Sequence, residues 1–458
     1  MLLSQCIRAT GGQLFNGDCE FNRLSTDTRK INVGDLFIAL RGPNFDAHEF
    51  LPQAGAAGAC GLVVEHVDAR VTLPQLVVTD TTRALGAIAN IKRHDFRGTL
   101  IAVTGSSGKT TVKGMLVAIL AESGAVTATR GNYNNHIGVP LTLMSIQAND
   151  QFAVIEMGTS GVGEIAYLAK LAEPDVALVN NVMPAHLEGL GSLQGVAEEK
   201  SQIYAALQTT GHAIINLDDQ FAPFFIERTV ASQRWGFSLQ QPEVRIPDMS
   251  VIYAAHVHED AAGRNSFELI TESGTAAVDL AVLGRHNVAN ALAAAACALA
   301  AGVGLTDVGR GLANYASEAG RMQVVQTALS GVTLIDDTYN ANPGSVRAAI
   351  DYLAARPHRK IFVLGNLAEL GDDAAREHAQ IGSYAQQKGV DVLLTCGELA
   401  QHASVAFGEQ AKHFAAQEAL VNFLRTATPA SAIVLIKGSR SSHMEKIVAA
   451  FDQAGEQH

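Results

Sequence analysis

The sequence predicts an α/β protein of three domains, and three observations carry that reading. Short apolar runs alternate with amphipathic helical stretches along most of the chain, the pattern of parallel sheets with helices on their faces. The length, 458 residues, corresponds to roughly three domains at about 150 residues each. Glycine outnumbers proline 42 to 12, which suits many tight strand-to-helix turns rather than proline-rich linkers.

The first block, 1–83, reads as a small α/β domain. GDLFIAL, CGLVVE and PQLVVT are strand-like, and HEFLPQAGAAG between them is helix-like. The second block, 84–314, opens with TLIAVTG, a buried strand that runs into glycines and then the helix TTVKGMLVAILAES. FAVIEMG, DVALVNNV and HAIINLDD follow as strands, alternating with GEIAYLAKLA and SLQGVAEEKSQIYAAL, so this block is a central parallel-sheet domain. VIYAAHVHED, SFELITESG and AAVDLAVLG alternate like antiparallel strands, and an alanine-rich helix closes the block. In the third block, 315–458, the strands VTLIDDTYN, KIFVLGN, DVLLTCG and AIVLIKGS are each followed by a helix, which predicts a Rossmann-like α/β domain.

Composition narrows the function. With 33 Lys+Arg against 45 Asp+Glu the net charge is −12, whereas a non-specific nucleic-acid or anionic-membrane binder needs a basic excess. Hydrophobic residues at 48% and charged residues at 17% describe a chain that buries sizeable cores rather than a disordered one. The five cysteines are odd in number and form no CxxC pair, which fits a reducing cytoplasm better than a disulfide framework or zinc site. The N-terminus lacks the apolar core and basic lead of a signal peptide. The uncharged stretch 288–305 is mostly alanine and contains Asn290, so it reads as a buried helix and no membrane insertion is expected.

The strongest motif is Gly105-Ser106-Ser107-Gly108-Lys109-Thr110-Thr111, between a strand and a helix. Small residues let backbone N–H groups turn inward around phosphate oxygens, and the helix N-terminus adds favourable dipole charge. Lys109 would reach the β- and γ-phosphates of ATP, and the Thr110 hydroxyl would ligate Mg2+. Thr104 stands where the usual phosphate loop has its first glycine. Such a loop does not by itself choose between a motor, a kinase and a ligase.

Glu156 ends the strand FAVIEMG, where side chains face the ligand crevice and a carboxylate could hold a second side of the metal; equally, it could cap the next helix. His186, in MPAHLEGLGS, is by position a loop histidine, and Lys200, in AEEKSQIY, an ordinary exposed helix lysine. Lys437 and Arg440 in KGSRSSHME could bind a carboxylate or simply follow a strand in a solvated loop. Trp235 reads as packing, and His256 and His258 as solvent-facing.

Taken in order, TGSSGKTTVK, GNYNNHIGVP, AHLEGLGSLQGVAEEK, GRHNVANALAAAA, AGRM, DDTYNANPGS and KGSRSSHMEKIV resemble the motifs of the Mur ligases, and STDTRKINVGDLFIALRGPNFDAHEF resembles the family's UDP-sugar domain. The resemblance covers essentially the whole chain. DDTYNANPGS is typical of the members that add D-alanyl-D-alanine, and the DNPR-like motif of the diaminopimelate- or lysine-adding members is absent. Three positions depart from the family pattern: Gly158-Thr159-Ser160 replaces Gly-Ala-Asn, Asn366 stands for Asp, and Ala319 for Pro.

The resemblance implies a cytoplasmic, monomeric ligase of peptidoglycan-precursor synthesis that uses ATP and Mg2+. Its partners would be a UDP-MurNAc-tripeptide and D-alanyl-D-alanine, joined through an acyl phosphate, with no nucleic acid involved. It gives each block a job: UDP-muramoyl-peptide binding in 1–83, ATP binding in 84–314 and dipeptide binding in 315–458. Lys109, Glu156, His186 and Lys200 would be catalytic. Thr110, Glu156, His186 and a carbamylated Lys200 would hold metal. Asn287 and Asn290 match the nucleoside-binding HNxxN segment, Arg321 would reach phosphate, and Asp336 the ribose. Thr28, Arg29, Asp46 and His48 are candidates for the UDP-sugar, and Asn134 and Asn135 for the peptide. Asn340 and Asn342 are candidates for the dipeptide, although NANPG also reads as a turn and cap before the helix SVRAAIDYL. Sites spread over three blocks require the third domain to close on the second. Other amide ligases of the superfamily, a phosphate-transferring kinase or ATPase, and a non-catalytic nucleotide-binding module are the rival readings.

Overall fold

Runs that read as strands assemble into three sheets in a computed structural model that describes residues 1–229, 233–327 and 331–451. The first sheet has the order Gln13–Phe15, Gln75–Val77, Gly61–Val64, Leu36–Ile38, Leu24–Ser25, parallel except for the first pair. Gly61–Val64 and Leu36–Ile38 are buried along their whole length, as continuous apolar runs covered on both faces must be. The helix Thr81–Asp95, capped by Asp80, leaves this sheet and packs on the second domain. There the Asn90 amide donates to Leu171 O (2.9 Å) and Arg93 donates to Ala172 O (2.6 Å) and Glu173 O (2.7 Å), so one apolar core is continuous across both domains.

The second sheet has nine strands, in the order Gly274–Leu283, Arg264–Thr271, Met249–Glu259, Gln233–Ser238, His212–Asn216, Val176–Val179, Thr99–Thr104, Phe152–Glu156, Val126–Ala128. The excursion expected to be antiparallel is so in its two hairpin pairings, while its first strand joins Gln233–Ser238 in parallel. Thr99–Thr104, which delivers the phosphate loop, lies between Val176–Val179 and Phe152–Glu156. Both neighbours are parallel to it, so their carboxyl ends open on the same crevice. The alanine-rich segment is the helix His286–Ala300, buried nearly all round because its small side chains let it lie close to the sheet and to the helix Lys109–Ala121. Among the described residues no helix is long and apolar enough to cross a membrane.

The third sheet has the order Gln323–Val325, Thr333–Asp337, Ala432–Lys437, Arg359–Leu364, Val392–Cys396, Ala411–Phe414, antiparallel only in its first pair. Its strand order reverses around Ala432–Lys437, which creates a crevice at the carboxyl ends of Thr333–Asp337 and Arg359–Leu364.

The close approach of helix Leu305–Asn314 to helix Lys109–Ala121 depends on Gly311. A Cβ there would lie 2.3 Å from Ile119 Cα and 2.6 Å from Ile119 N, backbone atoms that cannot turn aside. Gly311→Ala should therefore destabilise the protein by about 1–3 kcal/mol, as overpacking does, and a urea midpoint equal to that of the unmodified protein would refute the argument.

Candidate active site

The phosphate loop is held from behind by asparagines. The Asn180 (2.9 Å) and Asn181 (3.1 Å) amides both donate to Ser107 O. The Asn180 amide also donates to Asn290 Oδ1 (3.0 Å), the Asn290 amide to Asn287 Oδ1 (2.8 Å), and the Asn287 amide to Leu283 O (2.7 Å). A chain of amides thus ties the loop to the first turn of His286–Ala300. Gly108 sits against this chain with φ +77, and a Cβ there would lie 2.4 Å from Asn290 Oδ1 and 2.7 Å from Asn180 Nδ2. Conformation and space both demand glycine.

On the crevice side, Lys109 is curled over the loop, its ammonium donating to Gly105 O (2.8 Å), and burial lowers its pKa. From the segment between the second and third domains, Arg321 donates to the Thr110 hydroxyl (2.7 Å) and stacks on Tyr339, its guanidinium carbon 4.1 Å from the ring centroid. Arg321 Nε is buried with no hydrogen-bond partner among the described residues. Asn342 donates from its amide to Ser106 O (3.1 Å), while its Oδ1 accepts from Ser345 N (2.8 Å) and caps the helix Pro343–Ala354.

Glu156 is 2% exposed, and its Oε1 accepts from the Asn134 amide (2.8 Å). Its Oε2 has no hydrogen-bond partner among the described residues, although the Lys113 ammonium lies 3.7 Å away, itself 3.8 Å from Glu318. Lys200 is the reverse of an exposed helix lysine: it is 1% exposed and has no hydrogen bond or ion pair among the described residues. Burial, and then the charge of Lys109, hold its pKa well below the usual lysine range. The amine is therefore favoured in its neutral, nucleophilic form. His186, at φ +55, lies with Nδ1 2.5 Å from Glu369 Oε2, and that contact holds the Glu369 carboxyl below its ordinary range.

No three His, Cys, Asp or Glu side chains form a ready cation cage among the described residues. Two donors lining the cavity nevertheless fit a divalent ion, the Glu156 carboxylate oxygen without a hydrogen bond among the described residues and the Thr110 hydroxyl at the helix start, while the buried Lys200 amine, whose pKa is lowered, is not among the lining residues. The loop, Glu156 and Arg321 border a cavity of about 520 Å3, closed on the third-domain side by Asp337, Lys437 and Arg440.

The Mur ligase middle domain matches residues 103–298, and the Mur ligase, glutamate ligase domain, residues 320–440. The UDP-N-acetylmuramoyl-tripeptide--D-alanyl-D-alanine ligase of Escherichia coli (strain K12) is 41% identical over 99% of this chain and 98% of its own length. The chain belongs to the Mur ligase family. The enzyme of the same name from Bacillus subtilis (strain 168) is 32% identical over 93% of the chain and 92% of its own length. Among solved structures, MurF from Acinetobacter baumannii superposes with a TM-score of 0.89 at 36% identity, covering 97% of both chains. MurF from Thermotoga maritima in complex with ADP does so with a TM-score of 0.83 at 27% identity, covering 95% of this chain and 98% of that one.

The residues expected of a Mur ligase separate into three groups. Ser106, Ser107, Gly108, Lys109, Thr110 and Thr111 line the cavity, and so do Asn134, Glu156, Asn287, Asn290, Arg321, Asn340 and Asn342. Asn340 and Asn342 also serve the bland role, since Asn340 Oδ1 accepts from Ala341 N and Arg440 N in the turn. Others are turned elsewhere. Asp336 accepts from the N–H (3.0 Å) and hydroxyl (2.6 Å) of Thr338, and its neighbour Asp337 lines the cavity, 2.5 Å from the Lys437 ammonium. Asn135 caps the helix Gly138–Met144 by accepting from Ile137 N and Gly138 N, and borders a separate cavity.

In the first domain, Thr28 and Arg29 lie on the turn Thr28–Lys30, where Arg29 pairs with Asp27 (2.9 Å). Asp46 engages Arg41 (2.9 Å) and His48 Nδ1 (2.6 Å), and His48 Nε2 accepts from Glu65 N (3.0 Å). Asn366, which stands for a family Asp, accepts from Ala400 N at the start of helix Gln401–Phe407 with its side-chain oxygen, and from Ser439 N with its backbone carbonyl. Sequence reasoning missed Asn180, Asn181, Lys113, Asp337 and Glu369; only Asn180-Asn181, a polar pair ending an apolar strand beside the loop, offered a signal.

Asn180→Ala would leave Ser107 O with one donor and Asn290 Oδ1 without its donor. Unsatisfied buried acceptors cost about 1–3 kcal/mol, so ADP affinity should fall about tenfold or more by calorimetry. Unchanged affinity would show that the amide chain does not hold the loop.

Proposed function

We propose that this chain is an ATP-dependent amide ligase that joins D-alanyl-D-alanine to UDP-N-acetylmuramoyl-tripeptide, giving the UDP-MurNAc-pentapeptide, ADP and phosphate. The observation that carries the reading is the crevice where the phosphate loop and Glu156 of one domain face Arg321 and Lys437 of another, in a chain 41% identical over 99% of its length to an enzyme of that name.

The tripeptide's terminal carboxylate attacks the γ-phosphorus of ATP, the bond to the β-phosphate oxygen breaks, and ADP leaves. The dipeptide's amine then attacks the acyl carbon, phosphate departs, and the nitrogen loses one proton. Lys109 and the N–H groups at the start of helix Lys109–Ala121 hold the phosphates, since Ser106 N and Ser107 N already donate to Asn181, and Arg321, whose Nε has no partner among the described residues, stabilises negative charge on the transferred group. Asn287 and Asn290 border the nucleoside and stiffen the loop. Lys437 and Arg440 are suited to the dipeptide carboxylate, with Asn340 and Asn342 beside them. Thr110, Glu156, His186 and a carbamylated Lys200 would hold Mg2+. When bound, it neutralises charge developing on the transferred phosphoryl group. Asp336 supports the ribose side only by bracing Thr338 next to Asp337.

In this reading residues 1–83 bind the UDP-muramoyl peptide, with Thr28, Arg29, Asp46 and His48 as candidates. Residues 84–314 bind ATP, with Asn134 and Asn135 towards the peptide, and residues 315–458 bind the dipeptide. The enzyme works as a monomer in the cytoplasm, where its nucleotide substrates are made.

Phosphate release should require ATP, UDP-MurNAc-tripeptide and D-alanyl-D-alanine together, and hydroxylamine should trap a hydroxamate when the dipeptide is omitted. Turnover with D-Glu or L-Ala instead of the dipeptide would overturn the assignment. Stripping CO2 from the buffer should lower activity and bicarbonate should restore it, whereas Lys200→Ala should be inactive and unresponsive to bicarbonate. A wild-type rate indifferent to CO2 would exclude the carbamate.

A further inference from the structure

The helix Pro343–Ala354 touches the second domain at both ends. Its N-cap, Asn342, donates to Ser106 O of the phosphate loop (3.1 Å). Its other end reaches the tip of the hairpin formed by Met249–Glu259 and Arg264–Thr271, about 18 Å away at 1.5 Å per residue. There the Tyr352 hydroxyl donates to Ala262 O (2.9 Å), and Arg356 pairs with Glu259. Arg356 is 6% exposed, and its guanidinium carbon lies 4.6 Å from the Tyr352 ring centroid. The tip is shaped to receive them. Asp260 accepts from Ala262 N and Arg264 N, and Gly263 takes φ +90, where a Cβ would lie 2.4 Å from the Tyr352 ring.

The same tip leads back to the loop. Gly284 N donates to Gly263 O (2.9 Å), and the next residues open the helix that carries Asn287 and Asn290. The contacts at the loop end use Arg321, Asn342 and Ser106, groups that ligands also engage. The contacts at the hairpin end use no residue that lines the crevice, so ligands do not compete for them. A buried arginine is costly to strip of its partner, which makes this end the firmer of the two.

We propose that Arg356 and Tyr352 are positioning residues: by clamping the far end of this helix to the hairpin they keep the third domain seated on the phosphate loop and so keep water from the acyl phosphate. This rests on the acyl-phosphate reading above. If the seat loosens, water attacks the intermediate, the tripeptide carboxylate is regenerated and phosphate leaves, so one ATP is consumed and no amide forms.

The test is the ratio of phosphate released to amide formed by the full chain with ATP, UDP-MurNAc-tripeptide and subsaturating D-alanyl-D-alanine. In the unmodified enzyme the ratio should be near one. Arg356→Gln should raise it at least twofold and Tyr352→Phe by less. The exchanged pair Arg356→Glu with Glu259→Arg should bring it back towards one. Simple loss of folded enzyme lowers phosphate and amide together and leaves the ratio unmoved, so ratios near one in Arg356→Gln and Tyr352→Phe would overturn the clamp. Should Arg356→Gln fail to fold, Tyr352→Phe alone decides. An unmodified enzyme that forms no amide, or releases phosphate without the tripeptide, would overturn the functional reading instead.

Discussion

A phosphate loop must turn its N–H groups inward, and every carbonyl thereby turned outward needs a donor away from the ligand. Here Asn180 meets that demand, its amide shared between Ser107 O and Asn290 Oδ1. The rest of the site follows from it. The Asn180 amide sits where a side chain at position 108 would project, so that residue has to be glycine, and its left-handed φ lets the helix begin at Lys109. Asn290 must present its oxygen to Asn180, which leaves its own amide for Asn287, and Asn287 in turn reaches Leu283 O. The loop, the central strand neighbours and the buried helix are thus one hydrogen-bonded unit. It is rigid before any phosphate arrives, the condition under which fixed dipoles stabilise developing charge.

The net charge of −12 sets a second constraint, because ATP and a UDP-sugar are both polyanions. Long-range attraction cannot collect them, so the cations have to act at contact. Several stand around the crevice, Lys437 and Lys113 buried and Lys109 half-buried, each kept in place by acceptors: Lys109 by Gly105 O, Lys437 by Asp337, Lys113 between Glu156 and Glu318. Arg321 differs, since its Nε is buried without a hydrogen-bond partner among the described residues and its guanidinium stacks on Tyr339. In a low-dielectric setting an unpaired donor on a permanent cation is strongly biased towards an anion. Lys200 is the opposite case, a lysine whose burial favours the uncharged form.

The strands of the sheets were largely legible, because fully buried parallel strands are continuous apolar runs and the phosphate loop punctuates one of them. Gln233–Ser238, with Arg234 and Gly236 inside it, and the three-residue edge strand Val126–Ala128 carried no such run and were not. For the site, residues on the loop itself were readable from local spacing. Lys200 was not, because a helix lysine that follows two glutamates looks solvated until the sheet is known to lie against it. Asp336 and Asp337 differ only by the two-residue period of a strand, and which one faces the crevice depends on a register the sequence does not print. Glu369 and Lys113 acquire their partners from other domains or turns, so nothing local marks them.

The division into domains has a chemical reason. An acyl phosphate has to be hidden from water yet opened to an amine, and a single rigid cavity cannot do both for a substrate as large as a dipeptide. If, as proposed, the phosphate-holding groups are on one sheet and the amine-side groups on another, exclusion of water is a matter of how the two sheets meet. The segment around Arg321 lets them meet, since Arg321 touches the Thr110 hydroxyl only while the third domain sits against the loop. In the proposed reading Arg321 then completes the phosphate site at the same step that seats the groups assigned to the dipeptide. Phosphoryl transfer is therefore favoured only when the compartment that protects its product has already formed.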